Sequence, residues 1–303
     1  MFRDLSAATA HVMAFLFGSL VWMILIGVGV AILLLVRDPA LLASGNALEG
    51  LDGLTMGLTS AIQIVGLAGL AAGLALLLGT PTSDGHQVWW SLPGRHTVAS
   101  RLRAHLGLRT PRAAWLVVAF LGGLTVWTFP SMLAAWLVET LQIDSVSLEA
   151  TSRMLLEGPV LHRFAMGLAV VVTAPIFEEV IFRGYLWEVA ERATGRWGAF
   201  VLTTLLFAAY HLDPVHTLSL LPTAAFLGAL RLVSGSLWPC ILAHFANNGV
   251  AIVVTLLAAD MAVEEELPMW LALSGTLFTC VVFTLGAAWA RYRPNSPSAG
   301  ALS

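Results

Sequence analysis

The chain has 303 residues, of which 58% are hydrophobic and only 11% charged, and its mean hydropathy is +0.85. A soluble domain carries about 25% charged residues, so this composition excludes a cytosolic enzyme, a nucleic-acid binder and a disordered chain, and leaves a membrane protein. The formal charge of −3 comes from 15 basic and 18 acidic residues, an even balance that names no acidic or basic partner.

A helix needs about 20 apolar residues to cross the hydrocarbon layer. Eight candidate runs emerge, the middle ones short and carrying charges: 11–36, 54–78, 113–138 with Pro130 near its outer end, a fourth from 161 through FAMGLAVVVTAPIFEEVIF, then 197–211, 217–233, 238–259 and 269–290. The expected fold is therefore all-α, a polytopic transmembrane helical bundle of about eight spans. The first run is followed by Arg37 and Asp38 with no small-residue cleavage site, so it reads as a retained anchor. Glycines 69 and 73 in the second run read as ordinary close helix packing. Segment 79–112, with Trp89, Trp90 and five arginines, reads as an interfacial loop or short amphipathic helix on an anionic leaflet, or as a plain topogenic loop. No internal repeat is evident.

With the N-terminus inside, twelve of the fifteen arginines fall on inner segments and only Arg37, Arg153 and Arg163 on outer ones, while Asp260, Glu264, Glu265 and Glu266 also fall outside. The positive-inside rule favours this orientation. Both termini are expected in the cytoplasm. Trp115, Trp136, Trp197, Trp238, Trp270 and Trp289 fall near span ends, where an amphipathic indole prefers to sit. Every basic residue is Arg and none is Lys, which points to a GC-rich coding genome and hence a bacterial inner membrane. Cys240 and Cys280 lie in apolar runs without metal-ligand spacing, so neither a disulfide framework nor a thiolate site is indicated.

A charge in the hydrocarbon region costs about 2.5–3.5 kcal/mol even on the gentlest scale, yet the middle spans hold a cluster. The fourth carries Pro175, Glu178, Glu179 and Arg183, the fifth ends in His211, and the seventh carries His244, Asn247 and Asn248. Glu179 and Arg183 are four apart and stack on one helical face as an ion pair, which turns Glu178 about 100° away. His244 and Asn248 are likewise four apart, and Asn247 points off that face. A hairpin about Gly195 puts Glu178, seventeen residues before the turn, level with His211, sixteen after it. The polar arm 183–196 is expected to project into or along the interface. His244 stands nine residues past the turn near Gly235, about 13 Å along its helix, so four polar residues from three helices are expected to converge.

A buried carboxylate beside an imidazole can hold and deprotonate a water, and an imidazole beside a carboxamide offers two donors to an oxyanion. That is peptide or ester hydrolase chemistry. The other reading makes Glu178, His211 and His244 ligands of a divalent metal, although the HExxH spacing that usually delivers such a set is absent. Taken singly, each histidine is as readily a packing donor. His162, His216 and Asp213 lie at span ends, with Asp213-Pro214 reading as a turn, and His11, His86, His96 and His105 receive no role.

The motifs EExxxR (Glu178, Glu179, Arg183), FxxxH (Phe207, His211) and HxxxN (His244, Asn248), in this order on successive apolar helices, resemble the CPBP family of intramembrane proteases. That family comprises CAAX prenyl endopeptidases and bacteriocin-processing or immunity proteins, and is also called Abi. The resemblance covers about residues 160–258. It implies an all-helical membrane fold with the active site in a cavity within the bilayer, Glu178 as the water-activating base, His211 assisting it, and His244 with Asn248 as the oxyanion site. Glu179 and Arg183 become the supporting pair and Phe207 packs beside them. The family is described both as metalloproteases and as metal-independent glutamate proteases, so the cofactor is either none or a divalent metal such as zinc on Glu178, His211 and His244. The implied activity is endopeptidase cleavage of a membrane-associated substrate, CAAX-type or leader-peptide-like. The expected partners are membrane lipid and that peptide or protein substrate, with no nucleic acid; oligomeric state is left open. The competing readings are a catalytically silent scaffold or immunity protein, and a proton-coupled transporter, against which stands the lack of paired inverted repeats. The expected organisation is N-terminal membrane helices over 1–158, a catalytic helical core over 159–259, and a last transmembrane helix with a polar tail over 260–303.

Overall fold

The computed structural model describes residues 2–37, 53–79, 88–91, 98–143, 145–157, 159–260 and 269–292. Among the described residues there is no strand, and seven helices are long and apolar enough to cross a membrane. In chain order the helices are α1 (Phe2–Arg37), α2 (Gly53–Leu77), α3 (Val98–His105), α4 (Ala113–Val126), α5 (Thr128–Leu141), α6 (Val146–Glu157), α7 (Val160–Leu168), α8 (Ala174–Glu179), α9 (Trp187–Ala209), α10 (Pro214–Ser234), α11 (Trp238–Asp260) and α12 (Met269–Tyr292). Asp38, His86, Arg95, His96, Glu264, Glu265, Glu266 and Arg293 lie outside the described residues.

The expected fourth and fifth spans form one hairpin. Val160–Ala209 is continuous helix by its hydrogen bonding, but Gly195 breaks it at φ 77°, ψ 175°. Phe182 and Phe207 would stand about 37 Å apart on a straight helix, whereas their ring centroids are 5.2 Å apart. The chain therefore folds back at Gly195. That backbone conformation is essentially reserved for glycine, and a Cβ there would meet nothing within 4 Å. Gly195→Ala is accordingly expected to cost about 1–3 kcal/mol from the backbone alone, visible as a lower midpoint in thermal unfolding of the detergent-solubilised protein.

Pro175 shapes the first arm of this hairpin. A proline has no N–H and its ring crowds the carbonyl four residues earlier, so the ladder ahead of it slips to π-helical spacing over Ala169–Thr173, with the Ala174 N–H reaching Ala169 O, five residues back. A second π-helical stretch, Val180–Leu186, follows α8. Such stretches often mark functional sites. Here they bracket the six residues that carry Glu178 and Glu179.

Helices α1 and α2 pack on this hairpin, and α4 packs on α10 and α11 beside it. Leu67, Ala71 and Ala75 of α2 share a buried cluster with Phe182, Tyr185 and Phe207. In α4, Trp115 and Val118 join Leu227 of α10 and Cys240 of α11. Gly123 allows the closest approach of α4 to α11, since a Cβ there would lie 2.4 Å from Ala243 O. His11 fixes the start of α1: it is fully buried, with Nδ1 3.1 Å from the Tyr185 hydroxyl, Nε2 3.0 Å from Trp89 O and its ring stacked on Trp90. Outward-facing Phe17, Leu20 and Ile24 of α1 are exposed, as a helix facing lipid requires.

Segment 146–157, which lies between the apolar runs, is helix α6, and segment 79–112 contains the short helix α3. The arm 183–196 runs from a buried start to an exposed tip: Arg183 is fully buried, residues 194–197 are exposed, and between them the Arg192 guanidinium donates to Gly79 O and Val88 O while its Nη2 lies 3.1 Å from His105 Nδ1. Docking those carbonyls onto a fork of five donors stabilises the arm against the bundle more than exposure would.

Candidate active site

The site is built outward from an ion pair. Arg183 Nη1 donates to Glu179 Oε1 at 2.9 Å, and both side chains have zero solvent exposure. The four-residue spacing survives the change to π geometry because the pair sits at the junction of α8 with the second π stretch. Arg183 Nη2 donates to Ala224 O of α10 at 2.9 Å, and the guanidinium lies 4.3 Å over the Phe207 ring. The carbonyl and the aromatic face answer part of what the buried pair gives up on leaving water, while Arg183 Nε and Glu179 Oε2 are buried without a hydrogen-bond partner among the described residues.

The same carboxylate oxygen holds His244, whose Nδ1 lies 3.0 Å from Glu179 Oε1. With the carboxylate as acceptor, Nδ1–H donates, which fixes the ring and turns Nε2 toward Glu178. Nε2 stands 4.0 Å from Glu178 Oε2, too far for a hydrogen bond. Glu178 is 8% exposed and opens on a cavity of about 210 Å³ that also receives Ser60 and Gln63 from α2 and Tyr210 from the end of α9. Phe207 lies between the two histidines, with ring centroids 5.5 Å from His211 and 5.7 Å from His244. Glu179, Arg183 and His244 are thus joined, Glu178 stands 4.0 Å from His244, and the Phe207 ring lies between His211 and His244.

His211 and Asn248 carry duties beyond those expected of them. His211 Nδ1 lies 3.1 Å from Phe207 O and donates to it, leaving Nε2 as an acceptor, and its ring centroid is 4.6 Å from His216. It is not hydrogen-bonded to Glu178. Asn248 Nδ2 donates to Val170 O at 2.9 Å, and Asn247 Nδ2 donates to Asn248 Oδ1 at 3.0 Å. The reason lies in Pro175: in π register the partner of Val170 O is the N–H of residue 175, which proline lacks. A buried carbonyl needs a donor, and Asn248 supplies it while keeping a second amide hydrogen. Asp213 caps α10, its Oδ1 accepting the His216 N–H at 2.9 Å and its Oδ2 accepting Ser145 Oγ at 2.8 Å.

Residues 160–250 match the family model described as type II CAAX prenyl endopeptidase Rce1-like. The matched stretch holds every motif residue from Glu178 to Asn248, and it confirms the resemblance to CPBP proteases. At the level of that family the activity is that of an intramembrane protease, and the seven apolar helices fit an integral membrane protein. No curated protein and no solved structure matches the chain.

Ser60 and Gln63 lie outside the Rce1-like segment, and sequence reasoning passed over them along with Tyr210. Gln63 carried a usable signal, being an amide in an otherwise apolar span. As for a metal, among the described residues no three His, Cys, Asp or Glu side chains come close enough to hold one ion. The set Glu178, His211 and His244 therefore does not fit a shared divalent cation in this arrangement.

Proposed function

We propose that the chain is an intramembrane endopeptidase of the glutamate type, with both termini cytoplasmic in a bacterial inner membrane and a core over 159–259 packed against N-terminal helices that complete its cavity. The observation that carries this reading is His244, clamped by the Glu179–Arg183 pair and facing a Glu178 that opens on the cavity. A water held by Glu178 loses a proton to that carboxylate and attacks the scissile carbonyl carbon. His211, its Nδ1 spent on Phe207 O, accepts from the same water through Nε2. The oxyanion is received by Nε2 of a doubly protonated His244 and by the remaining amide hydrogen of Asn248. When the intermediate collapses, Glu178 returns its proton to the leaving amine, so the carboxylate is regenerated. The substrate is a membrane-associated peptide, CAAX-type or leader-like, that can place a peptide bond in this buried cavity.

The test compares peptide termini in membranes from cells producing the wild-type protein or the Glu178→Gln variant at equal abundance. Termini that vanish in the variant are the expected result and identify the substrate. An identical set of termini overturns the protease reading in favour of a silent scaffold.

A further inference from the structure

A second cavity of about 510 Å³ opens at the end of the bundle where the chain turns at Gly107, Gly195 and Gly235. Its charged lining is four arginines, Arg109, Arg192, Arg196 and Arg231, against two carboxylates, Glu188 and Glu191, leaving a net charge of 4 − 2 = +2. The carboxylates are already engaged. Arg192 Nε and Nη2 both reach Glu188 Oε1 at 2.8 Å, while Glu191 accepts Trp187 Nε1 at 2.7 Å through Oε2 and faces Arg196 Nε at 4.0 Å through Oε1. Arg196 also donates to Leu232 O.

Arg231 is left over. It is only 6% exposed, its Nε donates to Arg183 O at 2.8 Å, and its guanidinium lies 5.5 Å from the Trp187 ring. Among the described residues its two terminal nitrogens meet no acceptor, and neither Arg231 nor Arg109 is paired with a carboxylate. Gly107, at φ +68°, leaves the space that Nη2 occupies, since a Cβ there would stand 2.4 Å from it. A guanidinium whose fork opens on the cavity has donors to offer a ligand, and its geometry matches an oxyanion taken bidentately. A phosphodiester brings one negative charge on two tetrahedral oxygens, and an inorganic phosphate up to two charges with further acceptor oxygens, so either meets a guanidinium fork and lowers the excess charge. The cavity sits at span ends, the depth at which lipid phosphates lie.

We propose that this cavity is a phosphate-binding site, taking the phosphate of an anionic phospholipid head group or a free phosphate ion. Through the Arg231 to Arg183 carbonyl bond it adjoins the π stretch that holds the Glu179–Arg183 pair, but it shares no side chain with the cavity at Glu178.

The test titrates the delipidated full chain in detergent with short-chain phosphatidylglycerol, with inorganic phosphate and with phosphatidylcholine of the same chain length, following the thermal midpoint. Saturable stabilisation by phosphatidylglycerol alone assigns the source to the head group, and an equal response to inorganic phosphate assigns it to the free ion. Arg109→Gln, at an exposed side chain, is expected to weaken the effective ligand about tenfold, in line with loss of one charge-assisted hydrogen bond. Glu191→Gln keeps the Trp187 acceptor, removes a negative charge, and is expected to tighten binding several-fold. Arg231→Gln reports on the buried fork where it folds, and the other two variants decide the matter where it does not. The proposal is overturned if neither anion moves the wild-type midpoint, if phosphatidylcholine acts as strongly, or if Arg109→Gln and Glu191→Gln titrate like the wild type.

Discussion

Glu178→Gln is expected to leave a folded, membrane-inserted protein whose cleavage rate falls by about 10²–10⁴-fold, the usual worth of a general base. The amide is isosteric with the carboxyl but cannot take a proton from water. Folding should tolerate it because His244 Nε2 stands 4.0 Å from Glu178 Oε2, beyond hydrogen-bonding distance. The measurement is the rate of peptide release by the reconstituted protein, beside its thermal midpoint. A slow variant with an unchanged midpoint separates chemistry from stability. A rate within a few-fold of wild type places the base elsewhere.

Arg183→Met should behave in the opposite sense, unfolding the protein rather than silencing it. Glu179 has no solvent exposure, so removing Arg183 leaves this buried carboxylate with His244 as its one remaining partner among the described residues, at a cost approaching the ~3–5 kcal/mol of a broken buried pair. Ala224 O loses its donor and Phe207 loses the cation over its face. The double variant Glu179→Leu with Arg183→Met removes both charges and should recover most of the lost midpoint, since an apolar replacement of a buried pair is often neutral or better. It should not recover activity, because His244 Nδ1 then has no carboxylate to orient it. Thermal unfolding of the three proteins with a parallel cleavage assay checks both halves. A single Arg183→Met variant as stable as wild type would show that the pair is not what holds α8 to α10.

How much of this was legible in sequence depended on range. The Glu179–Arg183 pair is local and follows from four-residue spacing, and the hairpin follows from a glycine midway between polar residues of nearly equal offset. Long-range partners were not legible. His11 meets Tyr185 across 174 residues, and nothing in the N-terminal run announces that contact. The amphipathic helix Val146–Glu157 is polar enough to pass for a connection when only apolar runs are counted. The bond from Asn248 to Val170 O needs the π register that Pro175 imposes, and an ideal 3.6-residue wheel does not contain it. The same wheel placed His244 beside Asn248 as a pair of donors. In the fold the two residues look to different partners, Glu179 and Val170.

The central claim is that water, taken up by Glu178, is the attacking group. A single turnover of enzyme in excess over substrate, started in water enriched in oxygen-18, tests it directly by mass spectrometry of the new C-terminus. The account predicts one heavy oxygen in the product carboxylate and none in Glu178. A light product with the label found in Glu178 after turnover would mean that this carboxylate attacks the peptide itself, and would contradict the account.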